Sequence, residues 1–477
     1  MYIINRIQTM KNTLSLFLGL LVSGSLVAQP RALSVGDAVA LSLQNNRDLI
    51  AAKLDREKSD EGVREAYALA MPKLSFDFQY GHSFRQTQFF PTNLFPTGGD
   101  GGGATPGGGG SGFAAIELQN INAYTASLTL QQPIFRPQIF TAIGIASTIK
   151  NLTEQSYQAS RTSIITEVKK SYYDVLIAQE QTKLLEQSIA RSEQALSDTR
   201  LLYKQGLAAD LDTLRAFVNV ENLRPTLIKA QSLVDITKTV LKTKLSLSAS
   251  DDFILTDSLM FDGNPPILNF ETAYSEAIEN RPEVSQLKLQ IDVAEAQVDA
   301  EIANFLPTLD AQAQYQRLTL ANNFQFDQYS WGNNLSVGLQ LTVPLSLPFI
   351  TGTYTQTSAK VQQAKLEKKK SETFYENVRE NIRAEVKNAI STLEEATKRL
   401  QVQVTTVQSA ERSYNITRLR RAQGIGSALE LTDAELALTQ AKGNYLQAVY
   451  DYLVAKINLE KSLGRTAKLY ADSKSMK

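Results

Sequence analysis

Residues 353–423 run for about 71 positions without a single Gly or Pro. The stretch is dense in Lys, Glu, Gln, Ala and Leu, which are strong helix formers, and it lacks the two main breakers. At 1.5 Å per residue, one helix of this length reaches on the order of 100 Å. An ordinary helix has about 11 residues, and a small globular core has no use for such an element. A second run, residues 145–205, holds about 61 positions and is equally free of Gly and Pro. Two such runs in one chain point to a duplication.

The duplication is visible in the residues. Positions 33–80 align without a gap on 268–315, matching Leu33 to Leu268, Ala38 to Ala273, Asn45 to Asn280, Pro72 to Pro307 and Tyr80 to Tyr315. Further on, Gln132-Pro133-Ile134 echoes Val343-Pro344-Leu345, and Gln205-Gly206-Leu207 echoes Gln423-Gly424-Ile425. Each copy reads as a continuous entry helix ending at Pro72 or Pro307, then two alternating segments separated by a loop. A long helix, a Gly turn and a return helix about as long as the entry helix follow. The two shorter helices together match the long one and would run beside it as a broken partner. Pro225 is expected to kink or break the first return helix. The expected division is a signal peptide at 1–28, a first repeat at 29–247, a linker at 248–267, a second repeat at 268–464 and a tail at 465–477.

The alternating segments carry the second signal. Leu74, Phe76, Phe78 and Tyr80 alternate with Ser75, Asp77 and Gln79, and Leu128 and Leu130 alternate with Thr129 and Gln131. Leu309, Ala311, Ala313 and Tyr315 alternate with Asp310, Gln312 and Gln314, and Leu335, Val337, Leu339 and Leu341 with Ser336, Gly338 and Gln340. Period two with one apolar face means strands. Each has about the 10 residues that cross a bilayer when tilted. Tyr329 and Trp331 suit a membrane interface. The bland alternative for any one segment is a sandwich strand with a wet face. The Gly-rich loop between the first two strands, residues 86–123, cannot pack a core and reads as mobile. Phe89, Phe90 and Phe95 within it are unusual for a plain linker.

Composition excludes several functions. Lys and Arg number 49 and so do Asp and Glu, so no basic footprint points to nucleic acid. The chain has no Cys, and its only His is His82, on a strand. The lack of Cys removes disulfides, thiolate metal sites and Cys nucleophiles. Neither an enzyme, nor a cofactor, nor a metal site is expected. Met10-Lys11, the apolar stretch 14–22 and the small residues 23–28 read as a secretory signal cleaved near Ala28.

Four antiparallel strands cannot close a barrel, because about eight is the minimum. Open edges cannot sit in lipid, where each backbone polar group needs an internal partner. The strands must therefore close with other copies. A dimer gives eight strands and a trimer twelve; geometry favours the trimer, whose twelve helix-equivalents lie under twelve strands. An extended coiled-coil adhesin is the competing reading. It explains the helices but not strand pairs at equivalent points of each repeat.

On these features the chain resembles the TolC-type outer-membrane efflux proteins over about residues 33–464. The resemblance rests on the two repeats, on Asn45-Asn46 and Asn280-Arg281-Pro282, on Pro72 and Pro307, and on the Gly turns at 203–212 and 423–433. It implies a mainly α protein with a β-barrel: a long antiparallel α-helical tunnel plus four transmembrane strands per protomer, closing as a 12-strand barrel in a homotrimer. It implies a passive exit duct of a tripartite efflux or type I secretion system in the outer membrane of a Gram-negative bacterium, with a periplasmic tunnel. A periplasmic adaptor (membrane fusion) protein and an inner-membrane pump are the implied partners, with outer-membrane lipid around the barrel. The tip turns where the adaptor docks fall on Gly206, Leu207 and Ala208 and on Gly424, Ile425, Gly426 and Ser427. The acidic residues of the periplasmic aperture fall on Glu430 and Asp433, with Asp212 on the first turn. Where the family has a tip arginine, this chain has Gly426, so the closing link built on that arginine is not carried over. Ser427-Ala428-Leu429-Glu430 also fits a capping box.

Overall fold

A computed structural model describes residues 31–84, 88–89, 116–117, 122–261, 268–344 and 355–466. The expected signal peptide, most of the Gly-rich loop, the end of the linker at 262–267 and all but the first two residues of the tail lie outside the described residues.

The first repeat runs β1 (Arg31–Leu33), α1 (Val35–Asn45), α2 (Arg47–Ala68), β2 (Lys73–His82), β3 (Gln88–Phe89), β4 (Ile116–Glu117), β5 (Asn122–Phe135), α3 (Pro137–Lys204) and α4 (Asp210–Lys244). After β6 (Phe253–Leu255), the second runs α5 (Phe270–Asn280), α6 (Pro282–Ala303), β7 (Thr308–Ala321), β8 (Gly332–Thr342), α7 (Gln356–Ala422) and α8 (Ala428–Ser462). The long helices α3 and α7 hold 68 and 67 residues, and the return helices hold 35 each. α3 starts before the breaker-free run, because Pro137 takes the first helical position and Gly144 is absorbed within the helix. At that first position the missing N–H of proline costs nothing, and an isolated helical glycine is tolerated.

Two expectations need correction. The entry helix of each repeat is not continuous: it breaks at Asn46 and at Arg281, both in extended conformation. Asn46 caps both sides of its break. Its N–H bonds Ser42 O, its Oδ1 accepts from Asp48 N and Leu49 N, and its Nδ2 donates to Lys244 O. Arg281 is held out of the helical region by the ring of Pro282 that follows it. Conversely, Pro225 does not break α4, which runs unbroken from Asp210 to Lys244. Pro225 and Glu221 are both exposed, so the Glu221 carbonyl that loses its intrahelical donor stays in water.

The chain forms two compact units. One comprises Met1–Glu57, Leu152–Lys288 and Glu372–Lys477; the other comprises Lys58–Asn151 and Leu289–Ser371. The first unit is helical, with one apolar cluster per repeat. Val39, Ile165, Val168, Tyr172, Leu241 and Leu245 centre the first, and Ala277, Val386, Leu400, Val449, Tyr452 and Leu463 the second. α4 pairs with α3 through Arg224–Glu193 and Lys244–Glu167, and α8 pairs with α7 through Lys442–Glu411 and Arg399–Asp451. The repeats meet where α3 faces α8, through Lys169–Glu460 and the bond from Tyr450 Oη to Asp174. Burial together with that carboxylate pushes the Tyr450 hydroxyl pKa up. The parallel pair β1–β6 lies beside the first cluster, with Tyr172 donating to Leu33 O at 2.8 Å.

The second unit carries a four-stranded antiparallel sheet in the order β2-β5-β7-β8. Its register puts Phe76 opposite Leu128, Leu128 opposite Tyr315 and Tyr315 opposite Leu335. The apolar sets of all four strands therefore share one face, while Ser75, Thr129, Gln314 and Ser336 share the other, because side chains alternate along a strand. That apolar face is open, with Phe76 at 69% and Leu339 at 71% exposure. At the strand ends joined to helices, Arg136 is ion-paired with Asp310: its Nη2 donates to Oδ2 at 3.1 Å and its Nε lies 2.8 Å from Oδ1. Within the Gly-rich loop, β3 and β4 form a two-residue antiparallel ladder, so part of that loop is paired. No helix among the described residues is long and apolar enough to cross a membrane.

Candidate functional site

Both long helices end in the same way. Gly206 and Gly424 both have positive φ, in a region closed to most L-residues. At the first turn Gly206 N bonds Tyr203 O and Leu207 N bonds Leu202 O; at the second Gly424 N bonds Arg421 O and Ile425 N bonds Arg420 O. Each is a Schellman motif that satisfies the last carbonyls of its helix. In that motif the apolar residue after the glycine usually folds back on the helix. Here Leu207 is 71% exposed, and Ile425 is exposed to a similar degree. Ala208 is half-buried between Leu207 and the start of α4.

The second turn is the tighter one. A Cβ on Gly426 would lie 2.8 Å from Arg421 N and 3.1 Å from Arg420 C, so a side chain there requires the last turn of α7 to move. Arg421 approaches this turn from α7 instead, its Nη1 donating to Gly426 O at 3.2 Å. Ser427 then caps α8, its Oγ accepting from Leu429 N.

The capping box is not formed. Ser427 Oγ serves the second helical residue rather than Glu430 N, and the Glu430 carboxylate lies 3.9 Å from Arg420 Nη1 across the turn. The guanidinium two residues before the helix end draws Glu430 away from the backbone it was expected to cap. Asp212 and Glu430 occupy the same third position of their return helices, where helix N-terminal dipoles favour a negative charge. Asp433 lies one turn further along α8, is exposed and has no ion-pair partner among the described residues. Within one protomer these acids do not form one cluster. Asp212 lines a cleft of ≈480 Å³ with Leu211, Leu214, Leu429 and Leu431, and neither Glu430 nor Asp433 lines it. No group of three or more potential metal ligands occurs among the described residues.

Sequence reasoning missed a polar centre two turns into α8. Glu435 is buried and accepts both 2.9 Å bonds of Arg191 Nε on α3, together with Ser188 Oγ at 3.1 Å and Thr439 Oγ1 at 3.2 Å. Burial and the Glu435 charge push the nearby Tyr414 hydroxyl pKa up. The available signal was period: Leu431, Ala434, Leu438 and Ala441 mark the packed face of α8, and Glu435 falls within it.

The profile of the outer membrane efflux protein family matches residues 38–245 and 273–465, one segment per repeat. The alkaline protease secretion protein AprF of Pseudomonas aeruginosa is 24% identical over 429 residues, spanning 89% of this chain and 83% of that protein. The outer membrane protein TolC of Escherichia coli is 22% identical over 466 residues, spanning 95% and 87%. Among solved structures, the Campylobacter jejuni CmeC outer membrane channel superposes with a TM-score of 0.71 at 17% identity, covering 92% of this chain and 89% of that one.

Proposed function

The chain belongs to the outer membrane efflux protein family, and from that premise we infer that it is the trimeric exit duct of a tripartite efflux or type I secretion system. It spans the outer membrane by its strands and the periplasm by its helices, and it works with a periplasmic adaptor and an inner-membrane pump. The duct itself is passive. Its barrel lumen is lined by Ser, Thr and Gln of the polar strand face. The observation that carries the reading is the sheet: one apolar face, one polar face and two edge strands, with no hydrogen-bonded closure among the described residues. Such edges must be closed before the sheet can enter lipid.

The two Schellman turns are the periplasmic tip. Leu207 and Ile425, apolar and exposed at equivalent positions, suit the docking of a helical adaptor, with Ala208 and Ser427 beside them. The acids near the N-termini of the return helices form the aperture. A trimer gathers three copies of Glu430 and Asp433 into a narrow mouth, where low-dielectric walls focus their field. Arg420 offsets part of the Glu430 charge, so Asp433 dominates, and Asp212 acts from the wall of its cleft.

Single-channel recording tests this. The double change Glu430→Gln, Asp433→Asn is expected to lower cation selectivity and weaken block by a trivalent cation, with Asp433→Asn alone giving the larger share. Glu430→Gln leaves the helix cap intact, because Ser427 supplies it. Unchanged selectivity and block in an intact trimer would remove the acidic aperture from the reading while leaving the duct in place.

A further inference from the structure

The apolar face of the sheet ends earlier on β7 and β8 than on β2 and β5. On β7 and β8 the last apolar cross-strand pair toward the loop-bearing ends is Tyr315–Leu335, and the next pair on the same face is Arg317–Asn333, while on β2 and β5 the face runs on through Phe78–Ala126 to the stacked rings of Tyr80 and Tyr124. Arg317 is exposed, and Ala126 lies opposite it on β5, too small to cover it. An arginine on a lipid-facing strand is strongly disfavoured at mid-depth but nearly free of cost near the interface. Arg317 stands about 7 Å along the strand from the Tyr315–Leu335 pair and one row before the packed rings of Tyr80, Tyr124 and Tyr329, an aromatic belt of the kind that marks headgroup depth.

The guanidinium is held but not neutralised. Its Cζ lies 5.6 Å from the centroid of the Trp331 ring, a cation–π contact. Trp331 is itself partly exposed. No carboxylate among the described residues pairs with Arg317. Trp331 is fixed through its neighbour, because Thr319 Oγ1 donates to Ser330 O at 3.0 Å. A planar fork of donors, propped on an aromatic ring at headgroup depth and lacking a protein anion, matches a phosphate with two or three free oxygens.

We propose that Arg317 and Trp331 form a binding site for the phosphate of an outer-leaflet glycolipid, seated on the outward face of each protomer with Asn333 as a second donor. The proposal rests on the outer-membrane reading, because that reading puts the loop-bearing strand ends at the outer leaflet. The occupant is a lipid and not free phosphate: the site opens onto the apolar face, so an acyl chain extends over Tyr315 and Leu335 while the phosphate meets the arginine.

The test is native mass spectrometry of the full-length oligomer, titrated in detergent with diphosphoryl lipid A, with its dephosphorylated form and with inorganic phosphate as competitor. Arg317→Gln is expected to weaken retention of diphosphoryl lipid A about fivefold, the contribution of one basic residue at an anionic membrane surface. Arg317→Lys should lose less and Trp331→Leu should also weaken retention, whereas the dephosphorylated lipid should bind the wild type and Arg317→Gln alike. Equal retention of diphosphoryl lipid A by wild type and Arg317→Gln overturns the site. Competition by inorganic phosphate at concentrations equal to the lipid overturns the lipid as its occupant. Bilayer conductance of the same preparations separates the two readings. Conducting oligomers with equal lipid retention defeat this site alone, whereas no conductance from either protein defeats the duct.

Discussion

A carboxylate inside a helix seam must find a cation there or give up its charge. Glu435 finds Arg191, and the contact through both carboxylate oxygens joins α3 of the first repeat to α8 of the second across 244 positions of sequence. Removing one partner strands the other, so Glu435→Ala is expected to destabilise the protein by about 3 kcal/mol or more, whereas Arg191→Met with Glu435→Leu should recover most of that loss. Denaturant midpoints of the single and double variants measure the coupling, and additive losses would show that the pair acts independently. The same scale shows what was legible. Gly206 and Gly424 were readable as turns, because a positive φ leaves few other choices. The Ser427–Glu430 spacing was readable as a cap but misled, because the choice between a backbone N–H and Arg420 depends on where α7 ends. The period of α8 puts Glu435 on its packed face, but Glu435 was not readable as a partner of Arg191, which lies 244 positions away in sequence.

At the scale of elements, strand alternation was the most informative pattern in the chain. It assigned Leu128 and Leu339 to one face and Thr129 and Gln340 to the other, although the apolar positions are even in one strand and odd in the other. The pairing agrees: Leu128 faces Tyr315, Leu339 faces Ala311, and Tyr315 and Ala311 share a face of β7. Leu339→Arg is therefore expected to cost roughly 2–4 kcal/mol if it lies near the bilayer midplane, and Gln340→Arg little. Folding titrations into lipid vesicles measure both, and equal defects would mean that the faces are reversed. The helix breaks were less legible. The Asn46 break depends on a side chain reaching Lys244 O, 198 positions away. Only the Arg281 break carries a local cause, in Pro282. Pro225 failed as a breaker because its exposed setting lets water satisfy the freed carbonyl.

At the scale of the whole molecule, the question is what satisfies the outer edges of β2 and β8. β5 and β7 are paired on both sides, but the end strands of the sheet each have one neighbour among the described residues. Placed in hydrocarbon, their unpaired N–H and C=O groups would cost several kcal/mol each. The two edges belong to different strands, so joining them between copies makes a head-to-tail contact, which closes as a ring. Two copies give eight strands, a barrel just wide enough to be filled by its own side chains, whereas three give twelve and leave room for a lumen. Thr129, Gln314 and Gln340, which share the polar face, would line it. The expected state in detergent is a trimer, and a mass of one or two chains at high protein concentration would sink the argument. The chain contains no Cys, which permits a stricter test. One cysteine introduced on β2 and one on β8, scanned over successive positions, should yield disulfide-linked dimers and trimers on oxidation at a subset of pairs set by the register. Cysteine pairs placed wholly on β5 should not. If no β2–β8 pair links two chains, the edges are satisfied in some other way and the ring is wrong.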